Sequence, residues 1–525
     1  MVKYKLYIYF RRFSQIFFLL LFFTLAIKTT ISSDIFSTKP EISGNIKYFL
    51  SFDPLIALVV LMTGHTILSL FFLSLITVVV TMLCGRVFCG FVCPFGTLHH
   101  FFSYIGSATF LRRRNIKSYE FNKWQNVKYY ILIAIILLAM FKVNLVGLLD
   151  PLSFLLRSLV SFVIPLFQYL IYVIASMFAF LNLDSFASYL QGDLVFNLFG
   201  KENIFFDQTF FIGFILLGLF ALDLFFYRFY CRFVCPLGAL LGILSLKSFL
   251  SIKQKEGCIN CAKCEQFCFA GANPSSRQKF KKHECMLLGN CITKCPVNVL
   301  TFGNAKNSSV DLRRRDIVFA GLSSVFLAPL LRYSYSEERI DSLLIRPPGA
   351  LNEIDFLKKC IRCSACVKVC PQNFLQPSLF EGRLEGLWTP IGKGRFGYCE
   401  YNCNLCGQVC PTGAIEELPL DKKKKVSIGT AFIDKNRCLP HAFGIECVVC
   451  EEMCPVSPKA IYFQEVSFMK ADNKEIKIKQ PVVIPDKCTG CAICENKCPV
   501  LDKPAIYVTS IGEDRLEKNQ FLLDY

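Results

Sequence analysis

Long apolar runs alternate with short basic stretches over the first 335 residues, and the pattern stops there. Runs at 13–27, 54–83, 129–149, 154–182 and 208–227 are built from Phe, Leu, Ile and Val. Several extend over 18 residues or more with few or no charges, the length a helix needs to cross about 30 Å of hydrocarbon. They predict a multi-pass α-helical membrane domain over 1–250. Lys3, Lys5, Arg11 and Arg12 lead into the first run without a small-residue cleavage site, which reads as an anchor rather than a cleaved leader.

The apolar pattern repeats. "FDPLIALVV" (52–60) leads to "GRVFCGFVCPFGTL" (85–98), and "LDPLSFLLRSLV" (149–160) leads by a longer route to "YRFYCRFVCPLGAL" (227–240). Each copy carries Asp-Pro-Leu, an apolar helix and then Cys-x3-Cys-Pro-x-Gly-x-Leu. Two such copies packed side by side create a pseudo-symmetric site between them.

Charge orients this half. The formal charge of +18 comes from 33 Lys+Arg against 15 Asp+Glu before residue 336, with 25 against 25 after it. Segments 1–12, 86–128 and 228–315 carry +4, +6 and +11, while 28–53 and 142–207 carry 0 and −2. The positive-inside rule then predicts four crossings, an internal N-terminus and a stretch 154–182 that is re-entrant or lies along the outer face. The same distribution removes the reason to invoke nucleic acid, and the Phe residues read as lipid-facing.

Twenty-eight cysteines in a chain that is 53% apolar point to metal ligation rather than to disulfides. Cys-x2-Cys-x2-Cys-x3-Cys occurs at Cys258/Cys261/Cys264/Cys268, at Cys360/Cys363/Cys366/Cys370 and at Cys488/Cys491/Cys494/Cys498. Wider first gaps appear at Cys399/Cys403/Cys406/Cys410 and at Cys438/Cys447/Cys450/Cys454. In this pattern three thiolates grip one iron–sulfur cube and the fourth reaches across to a neighbouring one. Tetrahedral zinc uses two cysteine pairs instead.

A sixth motif is broken: Leu288 holds the place of the second cysteine between Cys285 and Cys291, with Cys295 following. Crossed ligation predicts one cube on Cys258, Cys261, Cys264 and Cys295, leaving Cys268, Cys285 and Cys291 for the other. A [3Fe–4S] cluster, a cube with an outside fourth ligand and an empty site all fit three cysteines. The expected total is about five [4Fe–4S] clusters, with this site in addition. Whether the first C-terminal motif pairs with the second or with the fourth is open at the level of spacing.

Residues 1–300 resemble the NapH-type membrane ferredoxins, whose marks are two membrane-edge Cys-x3-Cys-Pro motifs and a two-cluster ferredoxin. NosR and CcoG proteins share the first mark. Residues 310–525 are similar to the NapG/MauM polyferredoxins, which begin with a twin-arginine segment and carry four cluster motifs. The resemblance implies a fusion: a membrane domain (1–250), a two-cluster module (251–305), a twin-arginine-like segment with a helix (306–335) and a ferredoxin-like α+β four-cluster domain (336–525). It implies quinol oxidation in the bacterial inner membrane and delivery to a periplasmic reductase, cytochrome or metalloenzyme, with 251–305 cytoplasmic and the C-terminal domain periplasmic. An accessory donor for maturation of another metalloenzyme is the alternative. No Cys-x2-Cys-His or molybdopterin-type segment is present, so terminal chemistry falls to a partner.

Other candidates are softer. Cys89, Cys93, Cys231 and Cys235 lie four apart in pairs, so on a helix each pair would share a face. A further cluster, a redox-active thiol pair and a packing role are all compatible with them, while Cys84 reads as a buried apolar residue. His65, His99 and His100 suit a quinone, a haem or a satisfied polar contact. Asp53 and Asp150 read as helix caps with a second use as proton acceptors. Lys422–Lys425 reads as a solvated loop.

Overall fold

The computed structural model describes residues 2–30, 41, 42, 44–64, 72–108, 122–195, 199, 206–275, 280–303, 310–333, 342–469 and 475–515, so His65 lies outside the described residues. The apolar half forms a helix bundle from α1 (Val2–Lys28), α2 (Pro54–Gly64), α3 (Phe72–Cys84), α4 (Pro94–Ala108), α5 (Val127–Met140), α6 (Pro151–Ser158), α7 (Ile164–Phe180), α8 (Thr209–Phe225) and α9 (Pro236–Leu244). A π-helical turn, Leu159–Val163, joins α6 to α7. Tyr4–Lys28 and Pro151–Phe180 are long and apolar enough to cross a membrane by length and composition; α2, α3 and α8 are shorter apolar helices. A further helix, α10 (Arg314–Tyr333), follows the arginine triplet and packs along α5, with Leu138, Val143, Ala328 and Leu331 buried between them.

The two cysteine-rich modules occupy opposite ends of the bundle, and α5 measures their separation. At its start Lys128 pairs with Glu284 of the 251–305 module. Just past its end Asn144 Nδ2 donates to Lys358 O of the C-terminal module at 2.8 Å. The helix itself is 14 residues long, about 21 Å.

Both Asp-Pro-Leu segments dip into the bundle and return to the same end. Lys47 Nζ donates to Gln408 O at 2.8 Å, Thr63 Oγ1 to Lys358 O at 2.7 Å, and fully buried Asp53 lies between. In the second copy Asn144 and Arg157 both bond the C-terminal module, the latter through Arg362 O at 3.0 Å, and Asp150 lies between them. The stretch 154–182 thus begins inside the bundle as the continuation of a dipping segment. Aspartate starts each helix because one carboxylate oxygen accepts the first free N–H groups and proline fills the next position. Asp53 Oδ1 accepts from Leu55 N (2.8 Å) and Ile56 N (3.2 Å), and Asp150 Oδ2 from Leu152 N (3.1 Å) and Ser153 N (2.8 Å).

Strand structure is confined to antiparallel pairs. β1 (Ser251–Gln254) pairs with β2 (Leu300–Gly303) and frames the first module. In the second, β3 (Leu375–Pro377) pairs with β4 (Pro390–Gly392), β5 (Thr430–Ile433) with β8 (Ile506–Thr509), and β6 (Ile461–Met469) with β7 (Glu475–Val483). One buried core runs without a break from the bundle into the C-terminal module, linking Val146 and Leu152 to Ile361 and Val367. At the seam a Cβ on Gly147 would meet Ile361 O at 1.8 Å, so only glycine admits this docking.

Candidate metal centres

The cysteine loops share one backbone design. In the three strict motifs the residues either side of the second cysteine have positive φ: Asn260 and Ala262 (53° and 54°), Arg362 and Ser364 (54° and 63°), Gly490 and Ala492 (68° and 63°). Left-handed residues are costly outside glycine, but they aim successive N–H groups inward at sulfur. Leu287 and Gly289 (53° and 75°) repeat the pair around Leu288. The broken motif has kept the loop and lost only the thiol.

In the C-terminal module the fourth cysteine of each motif lies beside the first three of the neighbouring motif. Cys360, Cys363 and Cys366 line one closed space with Cys410, while Cys403 and Cys406 lie within electrostatic reach of Cys399 and Cys370. Cys438, Cys447 and Cys450 share a second space with Cys498, and Cys488 and Cys491 reach Cys454. The pairing is therefore first with second and third with fourth. Cys399 N donates to Cys491 O at 2.8 Å, joining the two halves. In the first module Cys264 reaches Cys295, and Cys291 reaches Cys268 and Cys285, following the crossed rule.

The donor set suits iron–sulfur clusters. Burial pushes the thiols of Cys285, Cys363, Cys403, Cys450 and Cys491 up to about 12, so they give up protons only to a group that rewards the thiolate strongly. Among the described residues no set of three or more Cys, His, Asp or Glu gathers as a single metal ion requires. Thiolates around a cube sit on its corners, farther apart than ligands of one ion.

The Cys-x3-Cys-Pro pairs do not share a helix face. Cys89 lies in a π-helical turn, Phe88–Val92, and Cys231 in a short helix, Phe229–Phe233, whereas Cys93 and Cys235 are N-caps of α4 and α9. Proline after each second cysteine ends one helix and starts the next, and the sulfur accepts from the new helix: Gly96 N to Cys93 Sγ at 3.4 Å, Gly238 N to Cys235 Sγ at 3.2 Å. The four thiols nevertheless converge, because Cys93 lies within reach of Cys89 and Cys231, and Cys235 of all three others.

Two buried arginines cross between the repeats at this point. Each stands three residues before the first cysteine of its own motif and packs on the motif glycine of the other copy. A Cβ on Gly238 would meet Arg86 Nη2 at 2.8 Å, and one on Gly96 would meet Arg228 Nη2 at 2.5 Å. Arg86 is balanced by Glu284, which also takes Lys128 and accepts from Tyr129 Oη at 3.0 Å. Burial alone would raise Glu284, but Lys128 and Arg86 hold its carboxyl at about 2. Arg228 has no carboxylate partner among the described residues; it donates to Cys89 O (2.9 Å), Gly96 O (2.8 Å) and Met286 Sδ (3.0 Å). An uncompensated buried guanidinium calls for a nearby anion, and a cluster held by the four thiolates, about −2 in all, would supply it.

These sites form a series. Cys89 and Cys231 share an apolar cluster with Cys268, Met286 and Leu288, which places the three-cysteine site against the four-thiol site. Tyr230 then links onward: it neighbours Cys231 in sequence, reaches Cys235, and its hydroxyl donates to Leu149 O. Arg157 stacks on Trp388 at 4.2 Å, bonds Arg362 O and reaches Cys363.

Two readings change. Lys423 is buried and donates to Glu400 O (2.6 Å) and Tyr401 O (3.1 Å) beside the Cys399 loop, while Lys422 and Lys425 stay exposed, so the solvated reading fails at Lys423 alone. Cys84 is half-buried, not buried. His99 is satisfied at Nδ1 by Asp223 and stacked on Tyr230, while His100 packs on Phe269. The crossed arginines were missed in the sequence, although Arg86 and Arg228 stand at equal offsets before the two motifs.

The 4Fe-4S binding domain model matches residues 66–117, 208–255 and 406–428, the first two covering the Cys-x3-Cys-Pro repeats, and the 4Fe-4S dicluster domain matches 359–414. The chain is 34% identical over 204 residues to the methylamine utilization ferredoxin-type protein MauM of Methylorubrum extorquens, covering 38% of this chain and 87% of that protein. It is 35% identical over 203 residues to the ferredoxin-type protein NapG of Escherichia coli, covering 38% and 84%. MauM of Paracoccus denitrificans matches at 34% over 197 residues, 37% and 82%. No solved structure matches. The chain belongs to the MauM/NapG ferredoxin-type iron–sulfur electron-transfer proteins.

Proposed function

We propose that this protein is an electron conduit through the bacterial inner membrane, accepting electrons from quinol and passing them to a periplasmic oxidoreductase. The observation that carries the reading is the order of cysteine sites: the Cys258 site, the Cys268 site, the four-thiol site between the repeats, then Tyr230 and Arg157, the Cys360 site, the Cys399 site and the pair at Cys488 and Cys438. The clusters would supply one-electron storage at each site. The chain's part is to fix their order, exclude water and balance their charge.

A membrane setting is supported by the rim of the bundle, where Phe13, Phe17, Phe72, Phe210, Phe214 and Phe319 are exposed with large apolar faces. The module bearing the basic surroundings would lie in the cytoplasm and the C-terminal module outside. With both Asp-Pro-Leu segments dipping and returning, the bundle needs four crossings, and α10 carries the chain across once more.

Iron and sulfide quantitation with EPR on the detergent-purified chain tests this reading. It predicts five complete clusters on the strict and widened motifs, one more at the four-thiol site, the three-cysteine signal, and reduction of all by a menaquinol or ubiquinol analogue. A protein whose clusters no quinol reduces overturns the quinol assignment, and unchanged iron in C89S/C93S/C231S/C235S overturns the four-thiol site.

A further inference from the structure

Asp53 and Asp150 do more than cap helices. The two dipping segments bring them together, fully buried, with their side chains close enough to interact. Each uses one oxygen for capping. The other oxygen of each, Asp53 Oδ2 and Asp150 Oδ1, has no hydrogen-bond partner among the described residues, and neither has the buried hydroxyl of Ser153 beside them.

Two neighbouring carboxylates do not both stay ionised in a dry interior, because each raises the energy of the other's charge and the capping N–H groups serve only one oxygen of each. A proton between the remaining oxygens satisfies both acceptors at once. The charged and titratable groups around the pair are few: Arg157, two turns along α6, and Tyr230 on the neighbouring short helix. Arg157 is held by Gly147 O at 2.9 Å and Arg362 O at 3.0 Å and does not bond the pair. Tyr230 is the link to the redox sites, since it reaches Asp150 on one side and Cys231 and Cys235 on the other.

We propose that Asp53 and Asp150 form a proton-binding site that loads when the four-thiol site is reduced. The inference rests on the conduit reading above, with the hydroquinone-class donor as the source of electrons. In the oxidised protein one proton is shared between the two carboxyls. One electron arriving at the four-thiol site draws one further proton, released as an O–H bond of the hydroquinone-class donor breaks, an O–H bond forms on the remaining carboxylate, and the proton leaves to solvent when the electron passes to the Cys360 site. The chain thereby keeps the dry middle of the bundle near constant charge during transfer.

Asparagine caps a helix as well as aspartate does, so D53N and D150N keep the helix starts while removing the proton site. Redox-difference infrared spectroscopy of the intact, cluster-loaded chain should show a carboxylic C=O band that appears on reduction, shifts in heavy water and disappears in either variant. Potentiometry should find a midpoint of the four-thiol site that falls with rising pH in the parent and is flat in D53N. A parent with no redox-linked carboxyl band, or one whose band survives in both variants, overturns the proposal. Iron and sulfide content in the same samples separates that result from loss of the four-thiol site, which would instead sink the conduit.

Discussion

The loop around Cys363 and the loop around Leu288 have the same backbone and different chemistry. Both place a left-handed residue on either side of the central position, and both are closed by a cysteine from a neighbouring motif. In the first loop the central side chain is a buried thiol; in the second it is a buried leucine packed toward Cys89 and Cys231. Cluster-binding shape is thus a backbone property set by residues between the cysteines, while the number of ligands is decided by one side chain.

The widest contrast between the modules comes from removing iron. Each strict loop in the C-terminal module holds left-handed residues that cost about 1–2 kcal/mol apiece where they are not glycine, and the thiols that face one another there are released from that crowding only as ligands. Chelation under reducing conditions should unfold residues 336–525 while the bundle helices persist, seen as loss of near-ultraviolet signal with most far-ultraviolet helicity retained. Survival of the C-terminal module without iron would show that its loops stand on packing alone.

Leu288→Cys attacks the comparison directly. With the loop already formed, the variant should gain iron and replace a three-iron signal, or an absent one, by that of a four-iron cluster. Unchanged iron content would mean that the loop differs from its counterparts in more than the side chain.

The crossed arginines give a third test, between the repeats. Arg86→Gln strands part of a buried ion network and should cost about 3 kcal/mol in stability, because Glu284 loses one of its two Lys/Arg partners and keeps Lys128. Arg228→Gln leaves no carboxylate behind, so its main effect should fall on the four-thiol site, read as a lower midpoint potential. Equal stability losses with no change in potential would break the assignment of Arg228 to cluster charge.

The smallest effect separates neighbouring lysines. Lys423→Met removes two hydrogen bonds to half-buried carbonyls beside the Cys399 loop and should cost about 1–3 kcal/mol, whereas Lys422→Met should stay within about 0.5 kcal/mol by thermal denaturation.

Much of this was legible in the chain. Cysteine spacing named three ligands of each site, because those three lie within one tight loop. Leu288 marked the incomplete site by the same arithmetic. Asp-Pro-Leu and Cys-Pro predicted helix starts, since an acceptor followed by proline is a local device that needs no tertiary partner. The solvated reading of Lys422–Lys425 failed because burial of one lysine in a run depends on what the rest of the chain brings beside it.

Tertiary structure alone decided the rest. Pairing of first with second and third with fourth motifs depends on which loops pack together, and spacing within a loop carries no information about that. The convergence of Cys89, Cys93, Cys231 and Cys235, the exchange of Arg86 and Arg228, and the meeting of Asp53 with Asp150 all arise where two copies of one local pattern face each other. A local pattern determines what each copy presents; only the packing of the copies determines what those groups meet.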